Sequence, residues 1–158
     1  MEFTIKFAEE KDTTIILNLI KDLARYEKLQ NEVTATEKIL REQLFEKKYA
    51  EVLLARLDGK VIGFALFFHN FSTFLGKSGL YLEDLFVKES YRGKGYGKQI
   101  LQFLAKLALD RNCGRLEWSV LDWNQAAIDF YKYLGAKAMD EWTVFRLTGA
   151  ELKKLGNI

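Results

Sequence analysis

Apolar positions along the chain follow two rhythms, and the change between them outlines a fold. Phe3-Thr4-Ile5-Lys6-Phe7 alternates as a half-buried strand does. Asp12 is of the type that caps a helix N-terminus, and after it Ile15, Ile16, Leu19, Ile20 and Leu23 share one helical face. Thr36 opens a second predicted helix with Ile39, Leu40 and Leu44 inward. The rhythm then shortens. Val52-Leu53-Leu54-Ala55 is a short apolar run, Asp58-Gly59 is a strong hairpin turn, and Val61 to Phe68 supplies the returning strand. Gly76 to Gly79 predicts another turn, followed by a strand over about Leu80 to Val87. Lys98 to Arg111 predicts a helix with Ile100, Leu101, Leu104, Leu107 and Ala108 on one side, and Leu116 to Leu121 a strand. Asn124 to Leu134 predicts a helix closed by Gly135 at C′. Thr143 to Leu147 predicts a last strand, and a short helix from about Gly149 follows.

The resulting order, β-α-α-β-β-β-α-β-α-β, places a meander before the first crossover. It predicts an α/β fold whose mixed, mostly antiparallel central sheet is flanked by helices, unlike a doubly wound Rossmann sheet. No repeat, linker or low-complexity segment interrupts the 158 residues, so a single domain over 1–158 is expected.

Composition narrows the chemistry. The net charge is only +2 and the basic residues are scattered, which gives no electrostatic footprint for nucleic acid. Lys47-Lys48 and Lys153-Lys154 read as solvated surface. The chain has 1 cysteine, Cys113, and 1 histidine, His69, so an internal disulfide is impossible and a zinc centre of about four nitrogen and sulfur ligands is not expected. No metal site is expected. The N-terminus lacks the basic and apolar regions of a signal peptide, and no run approaches the roughly 18 apolar residues of a membrane span. A soluble, cytoplasmic protein without membrane partners is the expectation.

The sharpest local feature is Tyr91-Arg92-Gly93-Lys94-Gly95-Tyr96-Gly97-Lys98, between a strand and a long amphipathic helix. Closely spaced glycines let the backbone turn tightly and bring N–H groups near a ligand. Those groups and the positive end of the following helix favour an anion such as pyrophosphate, and Arg92, Lys94 and Lys98 add charge. A Walker loop would need glycine where Arg92 stands and Ser or Thr where Gln99 stands. A dinucleotide fingerprint would need glycine at Lys98 and a βαβ setting. Neither fits. The competing reading is a flexible surface turn with incidental lysines.

Arg92-Gly93-Lys94-Gly95-Tyr96-Gly97 resembles the Arg/Gln-x-x-Gly-x-Gly/Ala signature of the GCN5-related N-acetyltransferases (GNAT). Three further blocks are similar to the diamine (spermidine/spermine) and thialysine acetyltransferase branch. They are Tyr81-Leu82-Glu83-Asp84-Leu85-Phe86-Val87 before the turn, Leu23-Ala24-Arg25-Tyr26-Glu27 at the first helix end, and Trp123-Asn124 through Phe130-Tyr131. The resemblance implies transfer of an acetyl group from acetyl-CoA to a primary amine of a small molecule, a diamine or a thialysine-like amino acid. It implies the CoA pyrophosphate on the backbone of Gly93 to Lys98, the thioester and pantetheine along Leu85, Phe86 and Val87, Asn124 on the CoA arm, and a homodimer. Glu83 becomes the candidate base and Tyr131 the acid at the departing sulfur, with Tyr26, Glu27 and Glu83 binding the amine. In a regular strand Asp84 would face away from Glu83, so one of the pair at most faces the acceptor.

Each assignment has a bland rival. Glu83-Asp84 also fits a solvated strand edge, Tyr131 a core aromatic with Ala127 and Leu134, and Tyr26-Glu27 ordinary helix-end surface. One departure stands out: where the diamine enzymes carry an acidic residue, the loop here reads Asn70-Phe71-Ser72-Thr73. A missing carboxylate argues against a long polycation. The alternatives are a protein or peptide N-acetyltransferase, which needs an open groove, and a CoA-sensing module without catalysis.

Overall fold

Five strands form one sheet in chain order: β1 (Phe3–Phe7), β2 (Glu51–Leu57), β3 (Lys60–Ser72), β4 (Lys77–Val87) and β5 (Leu116–Trp118). The first four run antiparallel to their neighbours, and β5 lies parallel to β4. The helices are α1 (Thr13–Tyr26), α2 (Glu37–Arg41), α3 (Tyr96–Asp110), α4 (Gln125–Tyr133) and α5 (Gly149–Gly156). This computed structural model describes residues 1–157. The chain divides into two compact units, Met1–Ser119 and Val120–Ile158.

In the first unit the sheet separates two apolar layers. Ile16, Leu19 and Leu23 of α1 share one core with Leu54, Phe64 and Phe86 of the sheet. Leu53 and Ala65, paired with each other and adjacent in sequence to Leu54 and Phe64, face the other way. On that side Phe7 meets Phe67 and the Phe103 ring of α3, at centroid distances of 6.5 and 6.3 Å. At the end of α3, the Arg111 guanidinium donates to both Glu51 oxygens at 2.7 and 3.0 Å, and this pairing holds the Glu51 carboxyl below its ordinary range.

The Asp58-Gly59 hairpin forms with φ of 50° and 82°, as its residue types demand. Thr36 caps α2 by accepting the Ile39 N–H at 3.2 Å. Other expectations need correction. Asp12 sits at the start of α1, but its carboxylate accepts the Glu9 N–H at 2.8 Å and pairs with Arg56, so it caps no α1 amide. Ile15 and Ile39 are 37% and 48% exposed, because the buried stripes run through Ile16, Leu19 and Leu23 and through Leu40 and Leu44 instead. Gly79 lies within β4 and not in a turn; a Cβ there would meet the Asn70 side chain at 2.5 Å.

Gly63 has a similar role in the sheet interior, where a Cβ would approach the Phe86 carbonyl oxygen to 2.5 Å. Both atoms belong to backbone in paired strands, which cannot give way locally. Gly63→Ala should therefore destabilise the protein by about 1–3 kcal/mol through overpacking, read as a lower denaturant midpoint at unchanged m.

In the second unit α4 is capped by Asn124, whose Oδ1 accepts the Ala127 N–H at 3.3 Å, and Gly135 follows it with φ of 95°. The strand expected at Thr143–Leu147 is not formed among the described residues of the second unit. Alternation gives a segment two faces, but a strand also needs a neighbouring backbone to take its N–H and C=O groups.

Candidate active site

The site in the first unit starts with a defect in β4. Its register against β3 pairs Phe67 with Leu82 and Leu66 with Asp84, so Glu83 is the extra residue of a β-bulge. Paired residues share a face, and Leu66 and Phe67 are consecutive, so they face oppositely. Leu82 consequently lies on the α3 side, while Asp84 joins Phe86 on the side packed by α1. A regular strand would have put all three together.

The bulge inverts the expected environments of the two carboxylates. Glu83 is exposed, whereas Asp84 is half-buried. The carboxyl that desolvation lifts is Asp84, pushed up to about 6 by burial first and then by the negative charges of Glu83 and Glu27. Glu27, just past the end of α1, is itself raised by burial. Sequence reasoning favoured Glu83. The only local signal for the bulge was two adjacent acidic residues interrupting the alternation.

Beyond Leu82, β4 leaves its other neighbour. Its parallel ladder with β5 covers Leu80, Tyr81 and Leu82 only, so among the described residues Asp84–Val87 pair with β3 alone. Lys88 donates its N–H to the Ile62 carbonyl at 2.8 Å. Counting back by two along the antiparallel ladder, the main-chain groups of Phe86 also face β3, and those of Leu85 and Val87 face the open edge. The amide positioned to polarise an extended ligand along this edge is therefore not that of Phe86. The Phe86 side chain is buried against Phe64, 6.4 Å between ring centroids.

The strand runs straight into the glycine turn. Gly93 and Gly95 have φ of 76° and 86°, and a Cβ at either would meet nothing within 4 Å. Packing does not require glycine there; the left-handed backbone does. Gly95 stands at the N-cap of α3 and has no side chain to satisfy the first-turn amides, which point outward past exposed Lys94 and Lys98. Such a cluster of N–H donors at a helix start, flanked by two lysines, fits a diphosphate. Tyr96 contributes only its main chain, since its ring stacks on Phe3 with centroids 4.6 Å apart.

Arg92 is also engaged within the protein. Its Nε–H donates to the Val87 carbonyl at 2.7 Å, and the guanidinium lies 4.1 Å over the Tyr26 ring and 5.2 Å from that of Phe86. These contacts join the glycine turn, the end of β4 and the end of α1. A cleft of about 740 Å³ opens between Asp22, Arg25 and Tyr26 on one side and Phe86, Lys88 and Arg92 on the other. Its rim carries both signs of charge, with Arg25 already paired to Asp22.

Tyr131 and Asn124 belong to the second unit. Asn124 spends its side-chain oxygen on the α4 cap. Tyr131 lies beside Phe130, ring centroids 5.8 Å apart.

The sequence model of the Acetyltransferase (GNAT) family matches residues 16–136. The chain belongs to this family. The chain is an acetyltransferase, and its curated relatives act on small-molecule amines. A Bos taurus thialysine N-epsilon-acetyltransferase is 40% identical over 96% of this chain and 95% of its own length. An Arabidopsis thaliana L-ornithine N5-acetyltransferase is 48% identical over 64% of this chain and 44% of its own. Among solved structures, an integron cassette protein from the mobile metagenome of V. cholerae superposes with a TM-score of 0.85 at 32% identity, covering 100% of this chain and 99% of that one. Among the described residues no group of three or more His, Cys, Asp or Glu is placed to hold a metal, and no helix is long and apolar enough to cross a membrane.

Proposed function

We propose that this acetyltransferase moves the acetyl group of acetyl-CoA to the side-chain amine of a small amino acid of the thialysine or ornithine kind. One observation carries the reading: the open edge of β4 at Leu85 and Val87 continues directly into the uncapped start of α3. An extended thioester arm can pair along the first while its diphosphate rests on the second, with Lys94 and Lys98 supplying positive charge. That pairing brings the reacting carbonyl next to the Glu83-Asp84 bulge.

The acceptor must lose a proton before it attacks. A lysine-like amine has a pKa near 10.4, so at pH 7 roughly one molecule in 10³ is neutral, a deficit of about 4–5 kcal/mol. Carboxylates beside the acceptor make up part of it by taking that proton. Tyr26, which lines the cleft, and Glu27, next to it in sequence, hold the cationic end in this reading. By the family resemblance, Tyr131 is assigned the hydrogen bond to the departing sulfur and Asn124 a place on the CoA arm.

Two observations favour an amino acid over a polyamine. By the resemblance, Ser72 is nearest the place where the diamine enzymes carry a carboxylate, and it is buried with its hydroxyl accepting the Leu75 N–H at 3.2 Å. The cleft rim also presents Lys88 and Arg92 beside Asp22 and Glu89, a mixture that suits a substrate carrying both a carboxylate and an ammonium. A panel of thialysine, ornithine, putrescine and spermidine, assayed with acetyl-CoA by thiol release, should give kcat/KM at least about tenfold higher for the amino acids, the size of one unfavourable charge contact of about 1.4 kcal/mol. A preference for spermidine would overturn the substrate assignment. Saturable acetyl-CoA binding without turnover on any amine would instead favour the sensing module.

A further inference from the structure

We propose that Lys88 selects the acceptor by holding the carboxylate of an amino acid. This inference rests on the acetyltransferase reading above and names the residue behind its substrate preference. It starts from the local backbone. Lys88 donates its N–H to the Ile62 carbonyl at 2.8 Å, and its own carbonyl accepts the Tyr91 N–H at 2.9 Å. Both main-chain groups are therefore fixed, one by the sheet and one by the short helical turn Glu89–Tyr91. With φ of −55° and ψ of 142° the chain stays extended at Lys88, past the end of β4. Two residues after Phe86, Lys88 lines the same cleft, as strand alternation requires.

Three of the described residues lining that cleft are cations, Arg25, Lys88 and Arg92, and two are already engaged. Arg25 pairs with Asp22 on its own helix. Arg92 donates its Nε–H to the Val87 carbonyl at 2.7 Å, and its guanidinium lies over the Tyr26 ring and near that of Phe86. Among the described residues, none pairs with the Lys88 ammonium or hydrogen-bonds to it. A rigid backbone thus presents one uncommitted cation to the cleft.

The acids of the rim do not cancel it. Asp22 is taken by Arg25, and Glu89 is exposed where Lys88 is half-buried. Charges act more strongly through protein than through water, so Lys88 sets the sign of the inner cleft on its side. A substrate carboxylate there receives a charge-assisted hydrogen bond, whereas the second ammonium of a diamine meets a like charge. Tyr26 stands on the opposite wall. An amino-acid head group can therefore turn its ammonium toward the end of α1 and its carboxylate toward Lys88. Lys94 and Lys98 lie separately, on the glycine turn and the first turn of α3, where the diphosphate is expected. The rival role for Lys88, a third contact to the donor, predicts a loss of acetyl-CoA affinity.

The test uses acceptors that differ only away from the reacting amine: thialysine and ornithine, their carboxamides, and putrescine. The carboxamides mask the carboxylate, and putrescine is ornithine without it. The parent, Lys88→Met and Lys88→Arg are assayed with acetyl-CoA by thiol release, with a melting temperature and an acetyl-CoA dissociation constant for each. Lys88→Met should lose about tenfold in kcat/KM for the amino acids, chiefly through KM, because the contact exists before and during reaction alike. About tenfold is the lower end for a hydrogen bond to a charged group, as suits a contact partly open to water. The same variant should lose nothing with the carboxamides and should gain with putrescine, which isolates the pair of groups as a double-mutant cycle does. Lys88→Arg, which keeps the charge, should recover the amino acids to within about threefold of the parent.

Unchanged amino-acid kinetics in Lys88→Met, or equal losses on amino acids and carboxamides, would overturn the assignment and leave the acetyltransferase reading standing. A loss confined to acetyl-CoA affinity would do the same and move Lys88 to the donor. A lowered melting temperature with rates falling alike on every acceptor would mark a structural role, which also overturns it. A parent that acetylates no amine on the panel would remove both readings.

Discussion

Tyr131→Phe should lower kcat by about a hundredfold while acetyl-CoA affinity and the amine KM stay within about twofold of the parent. The size follows from what a phenol can do for a departing thiolate. A thiol near pKa 8.5 is a stronger acid than a phenol near 10, so complete proton transfer from tyrosine runs uphill by about 2 kcal/mol. Donation of a hydrogen bond to charge developing on sulfur is the favourable contribution, and loss of one such donor from a reacting site is worth about 10²–10³ in rate. Because the charge exists only in the transition state, the loss belongs to kcat and leaves ground-state binding untouched. Steady-state rates with thiol detection, paired with calorimetric titration of acetyl-CoA, separate the two quantities. A variant within about threefold of the parent in kcat would remove Tyr131 from the chemistry, because that is far below the contribution of one lost donor.

The second large effect belongs to the glycine turn. Gly95 adopts φ of 86° at the N-cap of α3, and a β-branched residue resists that backbone by about 1–2 kcal/mol. Gly95→Val should tilt the first turn of α3 and misalign the amides that receive the diphosphate. Each hydrogen bond to a charged group contributes about 1.5–3 kcal/mol, so losing one or two weakens acetyl-CoA binding by about a hundredfold. Gly76→Val is the control. Gly76 has φ of 66° and equally open space around its Cβ, but lies in the β3–β4 turn. It should share the conformational strain without the loss of affinity. Equal acetyl-CoA dissociation constants for both variants would detach the turn from the donor.

The two effects come from features that the sequence displayed with unequal clarity. The glycine turn was legible because its residue types are forced: only glycine enters a left-handed backbone freely, and the lysines beside it are adjacent in sequence. The same holds for the Asp58-Gly59 hairpin and for α3, whose apolar stripe through Ile100, Leu101, Leu104 and Ala108 is buried as its period requires. The bulge at Glu83 was hidden. Leu80 and Leu82 set one phase of alternation, but Leu85-Phe86-Val87 are all apolar and conceal the shift that follows. The strand pair fixes that shift, and pairing is not a local property. Hence the acidic pair was recognised as chemistry while its two members exchanged environments. Arg92 and Tyr96 illustrate the same boundary. Each sits in the glycine-rich signature, yet Arg92 lies against Tyr26, and Tyr96 stacks on Phe3, partners more than fifty residues away in sequence. Thr143–Leu147 marks the opposite failure, a pattern with strand rhythm and no ladder beside it.

The central claim is that main-chain amides from Gly93 to Lys98 grip the diphosphate of the acetyl donor. An amide-resolved NMR titration of the intact chain with acetyl-CoA examines those groups individually. The account predicts saturable shifts concentrated at Gly93–Lys98 and along Leu85 and Val87. Saturation with these amides unmoved and another surface perturbed, or no saturable shift at all, would contradict it.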